Sequence, residues 1–114
     1  MHELSVCQAL IGQVEDVARE RGATGVKSVR LRIGPLSGVE APLLEQAYPL
    51  ACAGTVAESS GLVIELAPVR VQCETCGAET EAAPNRLICA ICGDYHTRLL
   101  SGDEMILMSV ELIV

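Results

Sequence analysis

Four cysteines fall in two matched pairs, Cys73-Glu-Thr-Cys76-Gly and Cys89-Ala-Ile-Cys92-Gly, with twelve residues between the pairs. Two residues between the members of a pair let both sulfurs turn toward one point. The glycine that follows permits the tight turn that brings backbone amides up to the thiolates. Together the pairs supply four soft ligands, which suit a tetrahedral Zn(II) at about 2.3 Å. With all four positions filled, no place is left for a water or a substrate. The expected zinc is therefore structural, and it orders a segment with too few apolar residues to order itself. Paired disulfides and an iron–sulfur cluster are the alternatives; a reducing compartment opposes the first, and the tandem C-x-x-C-G pattern favours zinc over the second.

A second chemistry is offered at the other end of the chain, where the sequence opens Met1-His2-Glu3-Leu4-Ser5. The amine nitrogen, the amide nitrogen of His2 once deprotonated, and an imidazole nitrogen can close adjacent chelate rings. Nitrogen ligands in one plane suit Ni(II) or Cu(II). The site needs Met1 to be retained, and the bulky His2 in second position disfavours its removal. On spacing alone, a single histidine at a chain end reads first as a solvated side chain.

Three further residues invite a ligand reading. Cys7 follows Glu3 by four residues and shares its helix face, but it also falls on an apolar stripe, which makes it core. Cys52 has apolar neighbours and reads the same way. His96 follows Cys92 by four residues and could reach a metal from the edge of the cysteine loop, although a neutral surface histidine needs no role.

The elements that must position these groups follow from periodicity. From Leu4 to Arg21 the residues Leu4, Cys7, Leu10 or Ile11, Val14, Val17 and Ala18 recur at steps of three and four, the pattern of an amphipathic helix. Ser5 with Gln8 could cap it, a start at Glu3 is equally open, and Gly22 supplies the stop. Lys27, Val29, Leu31 and Ile33 then alternate with polar residues up to Gly34-Pro35, a half-buried strand. Val39 to Ala53 returns to a helical pattern through Leu43, Leu44, Ala47, Leu50 and Ala51, with Pro49 expected to kink it or divide it in two. Leu62, Ile64 and Leu66 mark a second strand. The nearly continuous apolar run from Met105 to Val114 reads as a last strand buried on both faces.

The predicted class is α+β: two helices packed on a small, about three-stranded sheet, with an inserted zinc-ribbon-like sub-domain. The expected division is an α+β domain over residues 1–68, completed by a C-terminal strand in 103–114, and a zinc-binding domain over 69–102.

Composition limits the partners. The 114 residues carry 15 acidic and 8 basic side chains, a formal net charge of -7, which repels a phosphate backbone and makes nucleic acid an unsuitable partner. A cation or a basic protein surface suits it better. No apolar run is long enough to cross a bilayer and no signal peptide is evident, so no membrane is expected and a cytoplasmic location is. Only Tyr48 and Tyr95 are aromatic, which leaves a core of Val, Leu, Ile and Ala.

Taken together, the opening Met1-His2-Glu3-Leu4-Ser5, the two cysteine pairs at their separation, and Ser101-Gly102-Asp103-Glu104-Met105 before the last strand resemble the HypA/HybF family of hydrogenase maturation nickel chaperones over essentially the whole chain. The resemblance implies a nickel site formed by the amine of Met1, His2 and the neighbourhood of Glu3, and a zinc site formed by Cys73, Cys76, Cys89 and Cys92. It also implies delivery of nickel to the large-subunit precursor of a nickel–iron hydrogenase with help from a HypB-like GTPase. Within it, Glu3 keeps three roles: its amide as a further nitrogen ligand, its carboxylate bound to a partner or to a water on the metal, or simply an acid favourably placed at a helix start. Pro49 and Cys52 depart from the family's expected pattern.

The expected activity is that of a carrier, not an enzyme. A zinc-ribbon interaction adaptor without a second metal is the alternative. A hydrolase would need a general base and an open metal, which two histidines and no H-E-x-x-H or G-x-S-x-G arrangement do not supply.

Overall fold

The computed structural model describes residues 2–114. The chain runs α1 (His2–Glu20), β1 (Gly25–Ile33), α2 (Ala41–Cys52), β2 (Gly61–Leu66), β3 (Arg70–Cys73), β4 (Glu79–Glu81), β5 (Thr97–Ser101) and β6 (Met105–Ile113). These make two three-stranded sheets, one in the order β2-β1-β6 and one in the order β4-β3-β5. The α+β class with a separate cysteine-bearing sheet is the architecture seen. Two compact units emerge, one of Met1–Leu31, Val39–Glu65 and Ile106–Val114, the other of Arg32–Gly38 and Leu66–Met105.

In the first unit α1 buries Glu3, Cys7, Leu10, Ile11, Val14 and Ala18, a stripe at steps of three and four that packs against α2. The helix begins at His2, so Ser5 lies inside it and the Ser5/Gln8 capping box does not form. It ends as expected at Gly22: the N–H of Ala23 reaches the carbonyl of Ala18 at 2.9 Å and that of Gly22 reaches Arg19 at 3.2 Å, the paired bonds of a Schellman stop.

β1 buries Val26, Val29, Leu31 and Ile33, while Lys27 is exposed. The alternation expected from Lys27 onward thus holds only from Val29. Ala67 donates to the Ile33 carbonyl at 2.9 Å, and Gly61 lies beside the carbonyl of Lys27, so β1 and β2 run parallel. A parallel pair needs a long crossover, and α2 provides it.

α2 is a single helix with Pro49 inside it, not two pieces. Pro49 and Glu45, whose carbonyl loses its donor, are both exposed, so water can take the place of the missing N–H. The buried residues are Leu44, Tyr48 and Cys52, spaced four apart. Leu50, expected on this face, is 72 % exposed. The Tyr48 hydroxyl avoids an unpaired burial by sharing a 2.7 Å hydrogen bond with Ser60.

β6 departs most from expectation. None of its residues is fully buried, and Ile106, Met108 and Ile113 are exposed. As an outer strand of the β2-β1-β6 sheet it has a neighbour on one side only. Its inward residues Leu107, Val110 and Leu112 are half-covered, and the opposite face is open.

In the second unit β3 is the central strand, with Val71 facing Thr80 of β4 and Leu99 of β5 in antiparallel register. Val71 and Cys73 are the buried side chains of this strand. The segment before it is held at one tight point. A Cβ placed on Gly34 would lie 2.1 Å from the carbonyl oxygen of Gly102, and Gly34 and Leu36 donate to Glu104 and Gly102 at 2.8 and 2.7 Å. Glu104 returns its carboxylate to the N–H of Gly102 at 2.8 Å.

Candidate metal centres

Cys73 ends β3, Cys76 follows it across a turn, and Cys89 and Cys92 bracket a second turn of the same make. In the first knuckle Gly77 donates to the Cys73 carbonyl at 3.0 Å and Cys73 to the Ala78 carbonyl at 2.9 Å. In the second, Gly93 donates to Cys89 and Cys89 to Asp94, both at 2.9 Å. Gly77 and Gly93 both have φ 77°, in the left-handed region that only glycine enters without strain. Each turn aims amides at its own first sulfur: Cys76 N–H to Cys73 Sγ at 3.3 Å, and Ile91 and Cys92 N–H to Cys89 Sγ at 3.4 and 3.5 Å.

The result is a four-sulfur cluster with all ligand atoms within 4.8 Å of one another. Cys73 and Cys92 are 3.6 Å apart, as are Cys76 and Cys89. Sulfurs at about 2.3 Å from a tetrahedral ion would be separated by about 3.8 Å, so the set fits Zn(II) with little adjustment. No other group of three or more such side chains occurs among the described residues.

The electrostatics also suit a cation. The N–H of Cys92, with help from Ile91, holds the Cys89 thiol down at about 6, and the N–H of Cys76 lowers that of Cys73. At Cys92 the N–H of Asp94 acts in the same direction, but the neighbouring thiols, Cys73 first, push the group up to about 12. Two sulfurs are thus ready to ionise and two are kept from doing so by their neighbours. A dication removes that conflict.

The two turns are also joined by residues that the sequence did not single out. The Thr75 hydroxyl donates to the Asp94 carboxylate. Asp94 also takes the backbone N–H of His96 at 3.0 Å and lies 2.7 Å from its Nδ1. These contacts, Thr75 first, hold the Asp94 carboxyl well below the usual carboxylate range. His96 therefore already has a partner, and it stacks on Tyr95 with ring centroids 4.2 Å apart. The presence of Thr within the first pair and Asp just after the second was the available signal, but nothing in the spacing says that they meet.

At the N-terminal end, His2 and Glu3 form the first turn of α1 and Met1 lies outside the described residues. Within that turn the Glu3 N–H bonds its own carboxylate. The His2 side chain is 59 % exposed, and its Nε2 stands 3.1 Å from Glu3 Oε2. Glu3 is only 3 % exposed. Burial, the largest influence, raises its carboxyl. Bonds from its own N–H and from that of Glu40, with the charge of His2, outweigh this, and the net effect is lowering. Cys7 is fully buried and donates to the Leu44 carbonyl at 3.6 Å; Cys52 is buried as well. Both are core residues.

A chain with a closed four-thiol knuckle pair and a histidine on the first turn of an exposed helix end has the make-up of a metal carrier. Residues 1–112 match the family described as hydrogenase/urease nickel incorporation, metallochaperone, hypA, and the chain belongs to that family. It is 60 % identical over 113 residues to the hydrogenase maturation factor HypA of Nitrosospira multiformis, covering 99 % of this chain and 98 % of the relative. To that of Aquifex aeolicus it is 43 % identical, covering 100 % and 99 %. The solution structure of the Ni metallochaperone HypA from Helicobacter pylori superposes with a TM-score of 0.69 at 26 % identity, covering 99 % of this chain and 98 % of that one. The metals of the family are nickel, as cargo, and structural zinc, whose geometry the four thiols match. No described helix is long and apolar enough to cross a membrane.

Proposed function

We propose that this chain binds Ni(II) through the amine of Met1, His2 and the backbone of Glu3. It would hand the ion to the large-subunit precursor of a nickel–iron hydrogenase in the cytoplasm, assisted by a HypB-like GTPase. Cys73, Cys76, Cys89 and Cys92 hold a Zn(II) that keeps a zinc-binding domain over 69–102 folded, apart from the α+β domain of 1–68 and 103–114. The family match over residues 1–112 carries the nickel reading. The exposed His2 imidazole on the first turn of α1 supports it. The zinc would be structural, since four thiolates complete its coordination, and it would organise the knuckles without taking part in transfer. A carrier needs no bond-making group; it needs ligands that form a site and give it up.

The test is a nickel titration of zinc-loaded protein with an authentic N-terminus, with the same protein extended by residues before Met1, and with His2→Ala. One nickel equivalent bound only by the first is the expected result. Equal binding by all three would exclude the amine and His2 as ligands, and no nickel bound by any of them would leave a zinc-ribbon adaptor as the better description.

A further inference from the structure

The nickel reading above leaves the carboxylate of Glu3 without a defined task, and the geometry supplies one. In a chelate that uses the His2 amide nitrogen, the same residue's imidazole must close its ring through Cα, Cβ and Cγ. Nδ1, attached to Cγ, can do so, whereas Nε2 on the far side of the ring cannot reach the same ion. A neutral imidazole that binds metal through Nδ1 carries its proton on Nε2. That nitrogen is the one standing 3.1 Å from Glu3 Oε2, within hydrogen-bonding distance.

The carboxylate is itself fixed from behind. It is 3 % exposed and receives the N–H of Glu40, the residue that caps α2 and accepts the Leu44 N–H at 3.0 Å. Two helix N-termini therefore face one buried negative charge, an arrangement that both macrodipoles favour. To become a nickel ligand the carboxylate would have to abandon these bonds. The imidazole in front of it, 59 % exposed, has no such restraint.

We infer that Glu3 is the positioning residue of the nickel site: its carboxylate accepts Nε2–H of His2, holds the imidazole in the orientation from which Nδ1 reaches the metal, and ties the metal-bearing end of α1 to the start of α2. Outer partners of this kind fix the tautomer and orientation of a ligating histidine, and their loss costs about 10–100-fold in metal affinity.

This inference rests on the nickel reading, and the experiment separates the two. Full-length zinc-loaded native protein, Glu3→Gln and His2→Ala are titrated with Ni(II) while the visible absorption of the nickel is recorded. The ring nitrogens of His2 are read by nitrogen NMR in the nickel-loaded native protein. Expected are a Glu3→Gln affinity about 10–100-fold below native, an absorption band of unchanged position because the same nitrogens bind, and a native His2 with metal on Nδ1 and a proton on Nε2. Native affinity in Glu3→Gln, a band displaced by loss of an oxygen donor, or metal on Nε2 would each overturn the positioning role. Native affinity in His2→Ala would instead remove the nickel reading itself. If Glu3→Gln did not fold, the Nε2 proton of His2 in the nickel-loaded native chain would decide: a downfield, slowly exchanging N–H is expected from a bond to the Glu3 carboxylate, and the shift and fast exchange of a free imidazole N–H would overturn the role.

Discussion

Cys7 on α1 and Tyr48 on α2 are both buried as protonated, uncharged groups. Burial, the main cause, pushes the Cys7 thiol from its ordinary 9.0 up to about 11 and the Tyr48 hydroxyl from 10.0 up to about 12. Each holds its proton more tightly folded than unfolded. Their contribution to stability is therefore complete below the ordinary values and declines as pH rises through the folded ones. Melting temperatures of the native protein should be flat from about pH 7 to 8.5 and fall from about pH 9 to 11. Tyr48→Phe should make that fall shallower, and an equally steep decline in the variant would exclude Tyr48 as a source. The same burial makes Cys7 and Cys52 inert to alkylation at neutral pH. Chelation of zinc should thus release four reactive thiols out of the six cysteines; more than four would mean that the helical unit opens too.

At the scale of the elements, α2 offers a paired test. Leu44 is fully buried and Leu50 is 72 % exposed, although both are leucines on one short helix. Leu44→Ala should cost about 2–5 kcal/mol, and Leu50→Ala should change stability by less than about 0.5 kcal/mol, both measured by denaturant unfolding. Pro49→Ala should stabilise by roughly 1–3 kcal/mol, since it restores a donor for the Glu45 carbonyl and removes an unfavourable helix residue. No gain would mean that the unfolded-state advantage of proline offsets the helix bond.

These elements also show what the sequence could convey. Periodicity located α1, β1, α2, β2 and β6, because the spacing of apolar residues is a local property. It could not say which face a strand would have covered. The apolar run of β6 looks like a strand buried on both sides, yet its burial is decided by its place at the edge of the sheet, and that depends on distant β1. Tyr48 is buried and Leu50, expected on the covered face, is exposed for a similar reason: the face of α2 is chosen by what packs on it, and α1 presents Cys7 to the Leu44 turn. The four thiols were legible because their geometry is written in spacings of a few residues. The Thr75–Asp94–His96 bridge and the contact between Glu3 and the start of α2 were not, since each joins segments whose approach only the fold determines.

For the whole molecule, the division into two units, one helical and one cysteine-bearing, predicts a divided response to metal removal. The second unit is built of strands of four, three and five residues, too short to form an independent sheet without the ion. A strong chelator should abolish its NMR dispersion while the far-UV helical signal of α1 and α2 persists. Complete unfolding on chelation would show that the helices depend on zinc as well.

The approach of Gly34 to Gly102 reaches beyond folding into how this sequence can vary. With 2.1 Å between a would-be Cβ and a carbonyl oxygen, even alanine at Gly34 forces two stretches of backbone apart, and no choice of rotamer can relieve it. At Gly12, by contrast, a Cβ meets nothing within 4 Å, and alanine there should gain up to about 1 kcal/mol as a better helix former. In a saturation library selected for folded protein, position 34 should return its parent residue alone while position 12 fills with alternatives. The chain would drift freely along the face of α1 and remain fixed at one point where two strands of main chain touch.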